Sequence, residues 1–176
     1  MRCRLRFCLT HGLWALLTAG CGYHSIYARP VAQHLSVQLG QVLVPETAAA
    51  QAVASGAREE LAAAGVLGAG TDFPRLVLDV IRVDETSRGI HAQAGQPVAS
   101  GMSIAVLVRA RVFDSDSPDP VRDTGDVRRA VQETGDTDPR LDGAVYDVAL
   151  RAAAERAGRA AARAAIGIPE PADETP

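Results

Sequence analysis

The sequence predicts an α+β fold, a two-layer sandwich in which a mixed sheet of about four strands carries two helices on one face. Four runs are rich in valine, isoleucine and leucine, and two long segments are rich in alanine with apolar residues at helical spacing. Their order along the chain is strand, helix, three strands, helix, or β-α-β-β-β-α. Because a strand–helix–strand connection is right-handed, the first strand is expected to lie parallel to a later one.

The first strand and the first helix follow from a change of period. Apolar residues alternate over residues 35–44, and their phase shifts after Gly40, which predicts a strand with a bulge at that glycine. Pro45 ends the strand. Residues 46–64 are rich in alanine, with larger apolar residues on one side, and predict an amphipathic helix. Gly56 should weaken the middle of this helix.

Two further strands are predicted at residues 75–85 and 103–113, where β-branched residues are frequent. In the second of these, one face is apolar and the other carries Arg109 and Arg111. The connection between them, residues 86–101, is rich in glycine and alanine and long for a hairpin. A loop of that length is usually functional or disordered.

The remaining elements are an acidic turn, a fourth strand and a second helix. Residues 114–126 hold five aspartates and two prolines and are predicted to be a solvated turn. A calcium loop is excluded because the glycine and the final glutamate of the twelve-residue pattern are missing. Residues 127–134 predict the fourth strand, and residues 141–166 predict a long helix that ends at Gly167.

The amino terminus has the organisation of an export signal. Arginines at positions 2, 4 and 6 precede an apolar run that is too short to span a membrane. Leu17–Cys21, LTAGC, resembles a bacterial lipobox, which implies cleavage before Cys21 and acylation of that cysteine. Gly22 follows, and the absence of aspartate there favours sorting to the outer membrane. The alternative is an ordinary signal-peptidase site with an incidental cysteine.

The predicted organisation is a signal peptide at 1–20, a lipidated tether at 21–34, an α+β domain at 35–167 and a disordered tail at 168–176. Three of the 18 basic residues lie in the signal, which leaves 15 against 21 acidic residues and a mature net charge of −6. Such a charge is unsuited to nonspecific nucleic-acid binding. Cys3 and Cys8 leave with the signal, so the mature domain is expected to fold without disulfides.

The candidate binding residues are arginines, and no catalytic, cofactor or metal site is predicted. The histidines lack the spacing of metal ligands, and no serine stands in a nucleophile elbow. Arg109 and Arg111 share a strand face, and Arg128 and Arg129 lie on the neighbouring strand. If these strands pair, the four arginines could form a cationic patch that binds phosphate groups. The alternative is ordinary surface arginines paired with nearby acids.

The lipobox-like start "CGY", the element order and the segments "PETAAAQAVASGAREEL", "RLVLDVIRVDE" and "SIAVLVRARVFD" resemble the LPS-assembly lipoprotein family, LptE, where LPS is lipopolysaccharide. The scarcity of aromatic residues is a departure from that pattern. The resemblance implies a periplasm-facing outer-membrane lipoprotein that plugs the LPS-translocon β-barrel, helps it assemble and assists LPS delivery, catalysing no reaction. The alternatives are a lipoprotein that regulates an envelope enzyme such as a peptidoglycan synthase, and, third, an enzyme. The tether, about 45 Å at full extension, favours a partner close to the membrane.

Overall fold

The computed structural model describes residues 34–87, 90–93, 96–99, 101–133 and 142–169. The predicted signal, Cys21, the predicted tether before His34 and residues 170–176 of the predicted tail lie outside the described residues. Eight helices and strands follow one another in the described part of the chain. They are β1 (Ser36–Val42), α1 (Thr47–Ala63), β2 (Arg75–Ser87), β3 (Ile90–Gln93), β4 (Gln96–Ala99), β5 (Met102–Phe113), β6 (Arg122–Glu133) and α2 (Asp142–Ile166).

The main sheet has four strands in the order β1-β2-β5-β6. Strand β1 is parallel to β2, with Val37 opposite Leu76, whereas β2–β5 and β5–β6 are antiparallel. Helix α1 connects the two parallel strands β1 and β2. Both helices pack on the same face of the sheet, and the core lies between them and that face. The predicted fold class, a mixed sheet with two helices in the order β-α-β-β-β-α, is confirmed.

The predicted bulge at Gly40 is present. The pairing of β1 with β2 shifts register between Leu39 and Val42. A side chain at Gly40 would overlap Asp79, whose Oδ1 accepts a hydrogen bond from the Gln41 amide at 2.8 Å. The bulge therefore makes room for a carboxylate in the middle of the sheet.

The prediction of a long loop at residues 86–101 is wrong for the residues that the structure describes there. Strands β2 and β5 pair as far as Ser87 opposite Met102, and the chain between them forms a second ladder of β3 and β4. Glycine, alanine and glutamine give this segment a weak strand signal of its own. It forms strands because it continues a hairpin that β2 and β5 have already brought into register.

Strand β6 begins five residues earlier than predicted. The turn covers only residues 114–121, and Asp123 and Asp126 belong to the strand. Gly125 has a positive φ of 66°, and the β5–β6 register shifts between Arg109 and Arg111. A glycine with positive φ accommodates an extra residue in a bulge while the strand continues on both sides. Gly125 is therefore part of a bulge in β6, whereas the sequence prediction placed it in the turn before the strand.

The hydrophobic core lies between the sheet and the two helices. The sheet supplies branched side chains, and the helices supply mainly alanines. The largest fully buried side chains all belong to this layer. They are Leu35, Leu61, Leu76, Leu78, Ile104, Val53, Val80, Val106 and Val108.

The two helices meet at a pair of glycines. A side chain at Gly56 would overlap the backbone of Glu155, and one at Gly158 would overlap the carbonyl oxygen of Val53. The sequence prediction treated Gly56 only as a weak point of its helix. In the structure Gly56 lowers the helix propensity of α1, but the absence of a side chain there allows the two helices to lie in close contact.

Candidate functional site

The face of the sheet opposite the helices, which we call the open face, carries most of the charged strand residues. Directly paired residues of neighbouring strands lie on the same face of a sheet, so the register identifies which charged residues belong to the open face. Five arginines and four aspartates of β2, β5 and β6 lie on this face. The arginines are Arg75, Arg82, Arg109, Arg111 and Arg128, and the aspartates are Asp79, Asp84, Asp123 and Asp126.

Arg109 forms the best-aligned ion pair of the open face. Its Nε and Nη2 donate to both oxygens of Asp123, with Nη2–Oδ2 at 2.6 Å and Nε–Oδ1 at 2.9 Å. The Gly125 amide also donates to Asp123. Hydrogen bonds from Arg109 and from Gly125 lower the pKa of Asp123, and the bond to Asp123 raises the pKa of Arg109. The guanidinium is thus already occupied by a carboxylate.

Arg111 lies on the inner strand β5 and forms an ion pair with Asp79 on β2. Its Nη2 donates to Asp79 Oδ2 at 2.6 Å, and the carboxylate also accepts the Gln41 amide. Asp79 is buried, with 7% of its surface exposed, and Arg111 is half-buried. Together these groups join β1, β2 and β5 beneath the surface.

An arginine–aromatic cluster closes one end of the open face. The guanidinium of Arg75 lies 4.3 Å from the ring centroid of Phe73 and 5.7 Å from that of Phe113. The Arg111 guanidinium lies 5.9 Å from the Phe113 ring. These distances are in the range of cation–π contacts, so the arginines here also cover apolar surface.

The four arginines predicted as one patch are divided between the two faces. Arg128 pairs with Leu107 and belongs to the open face, where Asp84 lies 3.9 Å away. Arg129 pairs with Val106, a core residue, and therefore lies on the helix side. That part of the prediction is wrong because consecutive strand residues point to opposite faces. Arg109, Arg111 and Arg128 do share one face.

Arg129 instead lines a groove of about 440 Å³ between β6 and α2. Three arginines of α2 line the groove as well. Two of them form ion pairs with α1: Arg159 with Glu59 at 2.7 Å and Arg163 with Glu60 at 2.6 Å. The bond to Glu60 raises the pKa of Arg163. The lining residues are Val127, Arg129, Ala130, Arg156, Arg159, Ala160, Arg163, Ala164 and Ile168.

This groove was missed in the sequence, although a signal for it is present. Arg156, Arg159 and Arg163 are spaced by three and four residues, which places them on one side of a helix. Only the position of α2 beside the edge strand β6 brings Arg129 to the same groove. Within the described ranges, no three histidine, cysteine or acidic residues are placed to hold a metal ion. The described helices include none with the length and hydropathy of a membrane span.

The chain matches no protein-family model and no curated protein sequence. Among solved structures it is similar to a candidate lipoprotein from Caulobacter crescentus CB15, with 15% identity over 74% of this chain and 85% of that chain and a TM-score of 0.50. It also matches a minor lipoprotein from Acinetobacter baumannii (13% identity, 72% and 90% covered, TM-score 0.43) and rare lipoprotein B from Shewanella oneidensis (12%, 73% and 89%, TM-score 0.41). The similarity to the Caulobacter structure shows a shared fold.

Proposed function

We propose that this chain is a periplasm-facing outer-membrane lipoprotein that plugs the LPS-translocon β-barrel, helps it assemble and assists LPS delivery to the outer leaflet. The observation that carries the proposal is Leu17–Cys21, a lipobox-like sequence that precedes a small α+β domain by a short segment. Acyl chains on Cys21 would hold the domain at the inner leaflet, since two lipid signals suffice for stable anchoring. Its role would be binding, without catalysis.

The composition of the connection between β2 and β5 supports a role inside a confined lumen. Strand β1 is paired with β2 no further than Val42 opposite Val80, whereas β2 and β5 continue to Ser87 opposite Met102. Strand β6 continues beside them as far as Glu133 opposite Met102, so three strands lead to the connection between β2 and β5. Residues 88–101 contain one arginine and no acidic residue, and many of their side chains are small. A nearly uncharged connection with many small side chains suits contact with the inside of a barrel.

We further propose that Arg109, Arg111 and Arg128 contact LPS phosphates through the open face. A phosphate would have to take over hydrogen bonds now given to Asp123 and Asp79. A charge-assisted contact of this kind contributes about 1.5–3 kcal/mol when it replaces water, and less where it replaces an arginine–aspartate bond. The double variant Arg109→Ala/Arg111→Ala should therefore weaken LPS binding by about tenfold or more.

The LPS affinity of the full chain tests this contact, with folding checked by circular dichroism. Arg58→Ala/Arg151→Ala is the matched control, because it removes the same charge from exposed positions on the two helices. An unchanged affinity in a folded Arg109→Ala/Arg111→Ala variant, or an equal loss in the control, would contradict the proposed contact.

Purification of the tagged full chain from detergent-solubilised outer membrane tests the proposed partner. We expect one β-barrel protein at a stoichiometry near one to one, identified by mass spectrometry. Cys21→Ser, which removes the acylation site and retains the domain, should co-purify with much less of it. Recovery of a peptidoglycan synthase in place of a barrel would reject the proposal in favour of the regulator alternative.

A further inference from the structure

The two edges of the main sheet differ in charge. Strand β6, one edge, has six charged residues among its twelve. Strand β1, the other edge, has none, and neither do the residues that flank it from Leu35 to Pro45. Charged side chains on an edge strand prevent unwanted pairing with other chains. Charge therefore protects the β6 edge, whereas on the β1 edge the bulge at Gly40 is the feature that limits pairing.

The backbone of β1 has hydrogen-bonding groups on its outer side. Leu35 uses its outward groups within the chain: its amide donates to Val66 at 2.7 Å, and its carbonyl accepts from Gly68 at 2.8 Å. Val37 and Leu39 point their amide groups the same way, because directions alternate along a strand. In the described part of the chain, no strand pairs with this side of β1 beyond Leu35. Arg58 approaches the Val37 carbonyl only at 3.5 Å.

Exposed apolar side chains accompany this free edge. Leu39 is 40% exposed, Val42 38% and Leu43 66%. They lie within five consecutive residues, where an incoming strand would cover them. Strand β1 offers no counter-ion to a charged incoming strand, and Arg58 beside it already contacts the Val37 carbonyl, so an uncharged strand fits best.

We propose that the outer edge of β1, from Val37 to Val42, accepts an extended, uncharged segment of the barrel protein as an added strand. This inference rests on the proposed function. The added strand would exchange backbone hydrogen bonds with β1 and pack apolar side chains on Leu39 and Leu43. Because a closed barrel wall has no free edge of its own, the segment would be one that lies outside the wall pairing.

A second copy of this chain fits the edge less well than a larger partner does. Seven residues of β1 span about 23 Å, and a sheet layer is about 10 Å thick, so the strip offers about 230 Å². A stable interface buries about 800 Å² on each partner. A barrel that surrounds the domain supplies the remaining area elsewhere, whereas a pair of β1 strands does not.

Hydrogen exchange of the full chain tests the added strand. Amides in the peptide covering residues 36–43 should exchange at least tenfold more slowly in the barrel complex purified from outer membrane than in the chain prepared alone in the same detergent. The peptide covering Arg122–Glu133 of β6 serves as the internal reference and should change less. Equal exchange of the β1 peptide in both preparations would overturn the inference.

A pair of lysine variants gives a second test. Leu43→Lys adds a charge beside the free edge, and Val148→Lys adds one at an equally exposed apolar position of α2, since their exposures are 66% and 65%. Leu43→Lys should reduce the co-purified barrel at least tenfold, and Val148→Lys should leave it unchanged. Equal recovery with both variants, and no β1 protection, would overturn the added strand but leave the proposed function intact. Absence of any barrel from the wild-type preparation would overturn both.

Discussion

Replacing Gly158 with alanine should destabilise the protein, although alanine is the better helix former. The new methyl group would overlap the carbonyl oxygen of Val53 and lie 3.1 Å from the amide nitrogen of Ala57. Both are backbone atoms of α1 and cannot rotate away as a side chain can. Relief of the overlap therefore requires the helices to move apart, which loosens the alanine contacts around them.

The expected cost combines two opposing effects. Overpacking of a tight contact costs about 1–3 kcal/mol, and backbone neighbours place this site at the upper end. Alanine returns about 1 kcal/mol of helix propensity. The free energy of unfolding should thus fall by about 2 kcal/mol, which for a domain of this size lowers Tm by about 4–8 °C.

Gly143→Ala is the matched control, because it makes the same change in the same helix where no atom lies within 4 Å of the new methyl group. Its Tm should rise by about 1–3 °C, since only the propensity gain of about 0.5–1 kcal/mol operates near the start of the helix. Thermal unfolding followed by circular dichroism measures both variants of the full chain. If Gly158→Ala were as stable as Gly143→Ala, the close contact between the helices would be refuted.

Three further predictions follow from the ion pairs and the amino terminus. Asp79→Ala should lower the free energy of unfolding by about 1–3 kcal/mol because it leaves Arg111 without its partner. Asp116→Ala removes an exposed carboxylate 3.9 Å from Arg75 and should change the free energy of unfolding by less than about 0.5 kcal/mol in denaturant titrations. The pKa of Asp123 is lowered in the folded protein, so its stabilisation is present above the unfolded pKa of about 3.9 and is lost as pH falls through the folded value. Asp123→Asn should therefore lower Tm at pH 7, and its difference from wild type should shrink as pH falls below the unfolded pKa of about 3.9; a difference independent of pH would contradict this. Cys21→Ala should abolish acyl labelling and accumulate precursor, and normal processing of that variant would reject the lipobox.

The fold could be predicted from the sequence where one face of an element is buried. The alternation in β5 and the alanine-rich spacing in α1 arise because each element buries one face against a single neighbouring layer. Both patterns can therefore be recognised in the local sequence. The bulge at Gly40 was visible because a shift of one residue reverses the faces of every later side chain.

The remaining features depend on partners that are distant in sequence. Gly125 resembles a turn residue until the register with β5 shows that it is a bulge. Gly56 resembles a helix breaker until α2 is placed against it. Neither fact is contained in the residues around the glycine.

The candidate site was foreseen in part for the same reason. Arg109 and Arg111 are two residues apart on one strand, so their common face could be predicted. Their acidic partners lie on β6 and β2, and only strand order and register identify Asp123 and Asp79. The same alternation places the consecutive residues Arg128 and Arg129 on opposite faces of β6. Their separation could therefore have been predicted from the sequence as well.

Depletion of the chain from cells tests the central claim, a role in barrel assembly and LPS delivery, most directly. The measured quantities are the amount of folded LPS-translocon barrel in the outer membrane and the amount of newly made LPS that reaches the outer leaflet. The proposed function predicts that both fall severalfold, that wild-type chain restores them, and that Cys21→Ala restores them poorly. Unchanged barrel and surface LPS after depletion, with altered peptidoglycan synthesis instead, would contradict the proposal.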